Sequence, residues 1–116
     1  MNKRKVGKDM EELGAEYLEG LGYVIVERNF YCREGEVDII AKDGDVIVFV
    51  EVKYRKKDVY GMPEEAVGRR KQDKIYRVAG YYIYKNYKRM DLPCRFDVIA
   101  VEGENIRHYK NAFGGL

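Results

Sequence analysis

The dipeptide Asp43-Gly44 lies between two largely apolar runs, Glu36–Lys42 (EVDIIAK) and Asp45–Lys53 (DVIVFVEVK). Asp-Gly in that position is a strong signal for a two-residue β-hairpin, and a hairpin decides which side chains share a face. With Asp43-Gly44 as the loop, Lys42 pairs with Asp45, Ile40 with Ile47, Asp38 with Phe49 and Glu36 with Glu51. Paired residues project from the same side, and alternate residues along a strand return to it. Glu36, Asp38, Glu51 and Lys53 therefore share one face, with Asp38 and Glu51 as diagonal neighbours about 7–8 Å apart at the backbone. A loop of three or five residues would reverse this parity.

The rest of the chain builds a single domain around that hairpin. At 116 residues, one domain over 1–116 with its own core is expected. Residues 1–8 are basic and expected to fray. Residues 9–21 read as a helix: Met10, Leu13, Gly14, Tyr17, Leu18 and Leu21 share one arc, and Gly22 stops it. Residues 23–29 read as a strand and 30–35 as a loop. Residues 54–68, with Gly61, Pro63 and Gly68, read as irregular. A second helix over 69–88 precedes a strand over 95–101, and 104–109 can add an edge strand. The order is α-β-β-β-α-β. A run such as VIVFVEV suits a strand buried on both faces, so helices should flank a central sheet on both sides, an α/β fold.

Asp38 and Glu51 interrupt apolar runs. Two neighbouring carboxylates in a half-buried sheet repel and are costly to desolvate. A lysine two residues on, Lys53, offsets part of that cost, and a divalent cation offsets more; hard oxygen ligands suit magnesium or manganese. The same residues also allow a simpler arrangement, a Glu51–Lys53 ion pair with Asp38 exposed. Two further polar residues stand against the apolar pattern. Glu11 lies at the border of the first helix's apolar arc, where it can reach over the sheet toward a metal or complement the helix dipole. Gln72 lies within the apolar face of helix 69–88, aimed into the site or bonded to a loop carbonyl.

The formal net charge is only +2, so bulk charge announces no nucleic-acid binder and the placement of the cations must carry any such reading. Arg55, Lys56 and Lys57 follow the carboxylate strand directly. Arg70, Lys74 and Arg77, flanked by Arg69 and Lys71, form a stripe on the second helix opposite its apolar face. Such clusters neutralise phosphates, although a solvated helix face uses the same residues. Cys32 and Cys94 form no CxxC pair, and the single histidine, His108, excludes an ordinary zinc site. With no apolar run near the roughly 20 residues that span a bilayer and no signal-peptide core, a reduced, cytoplasmic protein without membrane association is expected.

Gly35-Glu36-Val37-Asp38-Ile39-Ile40, then Val48-Phe49-Val50-Glu51-Val52-Lys53, resembles the YraN family of small bacterial proteins. These are grouped with the Holliday-junction-resolvase-like nucleases of the PD-(D/E)xK superfamily. Gly7, Glu11 to Leu18, Gly61, Pro63, Ala66-Val67, Lys71-Gln72 and Arg95-Phe96-Asp97-Val98 extend the similarity over roughly residues 7–101. The resemblance implies a restriction-endonuclease-like fold and a magnesium- or manganese-dependent endonuclease acting on DNA, with branched or junction DNA as a candidate substrate. Asp38 and Glu51 would be metal ligands, and Lys53 would orient or activate the attacking water. Glu11 would match the first-helix glutamate of archaeal resolvases, and Gln72 with Tyr76 the QxxxY element of RecB-type nucleases. Val37 stands where the superfamily's name places a proline. A homodimer is allowed, since a junction has two strands to cut symmetrically. The competing expectations are a nuclease fold that binds nucleic acid without cutting and an adaptor that binds protein.

Overall fold

The computed structural model describes residues 3–54, 67–89, 91–103 and 105–113, with side chains from residue 10 onward. Helix α1 spans Lys3–Gly20, followed by strands β1 (Val24–Cys32), β2 (Gly35–Asp43) and β3 (Val46–Tyr54). Helix α2 spans Arg69–Tyr87, and β4 (Cys94–Glu102) and β5 (Asn105–Tyr109) complete the chain. The five strands form one mixed sheet in sequence order, β1-β2-β3-β4-β5. Only β3 and β4 run parallel; the other neighbours are antiparallel. The expected order is present, with the edge strand β5 added.

Each helix covers one face of the sheet. On the α1 side Ala15 and Leu18 pack on Ile39, Ala41, Val48, Val50, Ile99 and Val101. On the α2 side Ile75, Val78, Ala79, Tyr82 and Ile83 meet Val37, Ile40, Phe49, Phe96 and Val98. Strand β3 supplies both layers from alternate residues, as a doubly covered strand must. Contact with α1 is close at Gly14, where a Cβ would stand 3.3 Å from a methyl of Val52.

Three boundaries depart from the sequence reading. Helix α1 already runs at Lys3, because Lys, Arg and Val oppose it little and only Gly7 weakens it. Strand β1 continues to Cys32, reducing the expected 30–35 loop to a tight turn at Arg33-Glu34, with Cys32 paired to Gly35. The β2–β3 turn is Gly44-Asp45, one residue later than expected, closed by Asp43 opposite Val46. Gly44 has φ 62°, a positive value at the first central position, which a type II′ turn reserves for glycine. The loop still holds two residues, so the faces assigned by parity hold along the paired stretch, residues 39–43 with 46–50. By that register Asp38 falls opposite Glu51 rather than diagonal to it, one position beyond the last pair, Ile39 with Val50.

Candidate active site

Backbone pairing between β2 and β3 ends at Ile39 opposite Val50, while β3 stays paired to β4 as far as Tyr54. The first half of β2 remains joined to β1 through Phe30–Val37, Tyr31–Glu36 and Cys32–Gly35. The sheet therefore splits between β2 and β3. Face alternation changes phase at the same place: Ile39 and Ala41 face α1, but Val37 joins Ile40 on the α2 side. Asn29 lies opposite Asp38 in β1 and has φ 52°, so both strands are irregular at this level.

Asp38 stands at the split. Its Oδ2 accepts the backbone N–H of Val52 at 2.8 Å, satisfying a donor that the broken ladder leaves over. Burial raises its carboxyl to about 7; repulsion by Glu51 and a smaller one by Glu11 push the same way, against the Val52 hydrogen bond and Lys71. Glu51 is only 4 % exposed, one of two buried charged residues among those described. Its Oε1 takes Lys71 Nζ at 2.7 Å and Lys53 Nζ at 3.7 Å. Neither Asp38 Oδ1 nor Glu51 Oε2 has a polar partner among the described residues.

Lys71 reaches Glu51 because of topology. A parallel β3–β4 pair needs a crossover that runs back along the sheet. Helix α2 is that crossover, and its first turn stands at the end of β3 that carries Glu51 and Lys53. Sequence reasoning put Lys71 among the phosphate contacts and missed its hold on Glu51; the crossover was the available signal.

The other expected site residues fall into place differently. Glu11 is half-buried on α1 and acts on Asp38 through its field, yet no three Asp, Glu, His or Cys side chains among the described residues gather closely enough to hold a metal. The expected three-carboxylate set with Glu11 is thus not assembled. Contact at Gly14 anchors α1 to the sheet near Val52 and leaves Glu11 almost a turn farther along the helix. Gln72 Nε2 donates to the Val67 carbonyl at 2.7 Å, so its amide secures the entry to α2 rather than pointing into the site. Tyr76 lies edge-on to Phe96 with its hydroxyl donating to the Phe113 carbonyl at 3.4 Å, away from the carboxylates. Arg69 is paired with Asp73 at 3.4 Å, whereas Arg70 and Lys74 line a groove beside Glu36. Arg55, Lys56 and Lys57 lie outside the described residues.

A divalent ion fits the two carboxylates by their donor chemistry. They are hard oxygen donors, each with one oxygen open among the described residues, and burial, with Glu51 beside it, raises Asp38 to about 7. Magnesium is commonly held by one or two carboxylates, with water and substrate phosphate completing the shell.

A second buried cluster was not foreseen. Asp97, fully buried, accepts from Arg95 Nε at 3.0 Å and from the Asn111 N–H at 2.9 Å, with His108 Nε2 at 2.7 Å. Arg95 also donates to Asp43 and to the Tyr23 hydroxyl. Burial alone would raise the Asp97 carboxyl, but these partners outweigh it and hold it below the usual value. The cluster ties Tyr23, just ahead of β1, to β2, β4 and β5 on the α1 side.

Fold and site define a restriction-endonuclease-like α/β domain with a charged centre at a split in its sheet. The model of the uncharacterised protein family UPF0102 matches residues 10–101, so the chain belongs to that family, the YraN family that the sequence resembles. A UPF0102 protein of Lachnoclostridium phytofermentans is 47% identical over 97% of this chain and 96% of its own. Relatives in Syntrophus aciditrophicus (50% identical, 94% of this chain, 88% of its own) and Thermodesulfovibrio yellowstonii (46%, 97% and 99%) carry the same family name.

Proposed function

We propose that this protein hydrolyses phosphodiester bonds in DNA at Asp38 and Glu51, with magnesium or manganese as cofactor. The observation that carries the reading is the Asp38 carboxyl, raised to about 7 by burial and by Glu51 at a break in the sheet. A fold tolerates such repulsion where a ligand relieves it, and perturbed carboxylates cluster at functional sites. Asp38 and Glu51 would hold the ion, which when bound polarises a phosphate oxygen and makes water a better nucleophile. Lys53 stabilises the negative charge that develops on the phosphate oxygens. Val52 fixes the Asp38 carboxylate through its N–H, leaving the other oxygen to face the ligand. Branched or junction DNA is the preferred substrate class, by the family resemblance.

The test is cleavage of junction, flap and linear DNA with magnesium or manganese. Wild type should cut at least one of them and Asp38→Ala none; equal behaviour on all of them overturns the reading. One observation favours a second reading, a module that binds nucleic acid without cutting. Lys71 and Lys53 already neutralise Glu51 with no metal required. That reading expects salt-dependent binding that survives Glu51→Ala and no rise in melting temperature with metal.

A further inference from the structure

Next to Glu51 lies a groove of about 520 Å3, with Gly35 and Glu36 on the β2 side and Arg70, Lys71 and Lys74 on the α2 side, over Ile75. Its cations differ from their neighbours. Arg69 is paired with Asp73 and Arg77 with Glu34, at 3.4 and 3.2 Å. Arg70 and Lys74 have no carboxylate partner among the described residues. Lys71 lines the groove and ends on Glu51 at 2.7 Å, so one side chain joins the groove to the carboxylate site.

The helix gains nothing from this arrangement by itself. Arg70 and Lys74 are like charges four residues apart, which weaken a helix. The first turn of α2 carries three cations and no acid, and its N-cap Gly68 offers no side-chain acceptor. Cations there oppose the helix dipole. A bound anion reverses both effects, because it is attracted by the two cations and by the N-terminal end of the helix.

We propose that this groove seats a backbone phosphate of a polynucleotide strand, distinct from the phosphate acted on at Asp38 and Glu51, with Arg70 and Lys74 as its contacts. Glu36 is the acid among the lining residues, and it repels phosphate from the β2 side. The assignment rests on a nucleic-acid substrate for the carboxylate site, but its test reads binding rather than cutting.

The experiment is fluorescence anisotropy of labelled single-stranded and duplex oligodeoxynucleotides with the full chain in EDTA, across a salt series. Melting curves check folding. The Arg70→Gln/Lys74→Gln variant should bind roughly tenfold more weakly, with a salt slope smaller by about 2. The control Arg89→Gln/Arg107→Gln should stay within about threefold of wild type, because these cations lie outside the groove, past the far end of α2 and on β5. Glu36→Gln should bind more tightly than wild type. Should the double variant fail to fold, Lys74→Gln alone should lower the slope by about 1.

Wild-type affinity in the groove variant, equal losses in both double variants, or no binding by wild type at low salt overturns the groove. The two proposals fail separately. If neither wild type nor Asp38→Ala cuts DNA while the groove variant loses binding, the hydrolytic reading falls and the groove stands. If Asp38→Ala abolishes cutting while the groove variant binds as wild type does, only the groove falls.

Discussion

The side chain of Asp38 does for Val52 what the main chain of Val37 would do in an unbroken hairpin. Ile39 opposite Val50 is the last pair of the β2–β3 ladder, and Asp38 Oδ2 takes the Val52 N–H at 2.8 Å. In an antiparallel ladder that N–H would next meet the carbonyl of residue 37. Replacing a carbonyl by a carboxylate lets the strands part without stranding a buried donor. It also fixes a negative charge beside Glu51.

That charge has a stability consequence. In the unfolded chain Asp38 titrates near 3.8, and in the folded protein it titrates at about 7. Between these values the folded state binds more protons, so stability falls as pH rises, and above about pH 7 the full penalty applies. Asp38→Asn removes the charge while its amide oxygen still accepts from Val52. This variant should melt above wild type at about pH 8 and lose the advantage near pH 4. Each kcal/mol gained corresponds to a Tm shift of about 4–8 °C. Asp38→Ala also removes the acceptor and should gain less. Thermal melts across the pH range check the signs.

Metal should relieve the same repulsion. At about pH 8, millimolar manganese should raise the Tm of wild type, since a ligand held only by the folded state stabilises it. Asp38→Asn and Glu51→Gln should each lose most of that rise. An equal rise in all three would mean that the ion binds elsewhere.

Lys71 would compete with such an ion for Glu51. Its ammonium lies 2.7 Å from Oε1, a contact that a cation on that carboxylate must share or displace. Lys71→Met should therefore bind manganese several-fold more tightly than wild type in a direct titration. Weaker binding would show that Lys71 supports the metal site instead.

Much of the fold was legible because the hairpin parity survives a shift of its turn. Moving a two-residue loop from Asp43-Gly44 to Gly44-Asp45 changes each partner by two positions and leaves the faces intact as far as Ile39 and Val50. The phase change at Asp38 was not legible, since Val37 reads as an ordinary strand valine and the positive φ of Asn29 across the ladder leaves no mark in the hydropathy pattern. Gln72 showed as a polar residue on an apolar face, but periodicity could not choose between the site and the Val67 carbonyl. The Asp97 cluster draws on Tyr23, Asp43, Arg95, His108 and Asn111, which only tertiary folding brings together. Its one local sign was Arg95 and Asp97 two apart in an apolar strand, sharing a face.

Asp97 should dominate the response to acid and to mutation. Its folded pKa lies below the unfolded one, so its contribution is complete above about pH 4 and is lost as pH falls through the folded value. Asp97→Ala removes the buried carboxylate shared by Arg95, His108 and the Asn111 N–H and leaves Arg95 only the Asp43 carboxylate, a loss of about 3 kcal/mol. Urea unfolding at neutral pH measures the loss. Because the cluster stands apart from Asp38, whatever protein remains folded should bind manganese with wild-type affinity.

The most direct measurement of the central claim is the cleavage of junction, flap and linear DNA by wild type and by Asp38→Ala at equal folded concentration. Magnesium or manganese is present in one set of reactions and EDTA in the other. Wild type should cut at least one of these DNAs with metal and none in EDTA, and the variant should cut none. Identical behaviour of the two proteins on every DNA would contradict that claim.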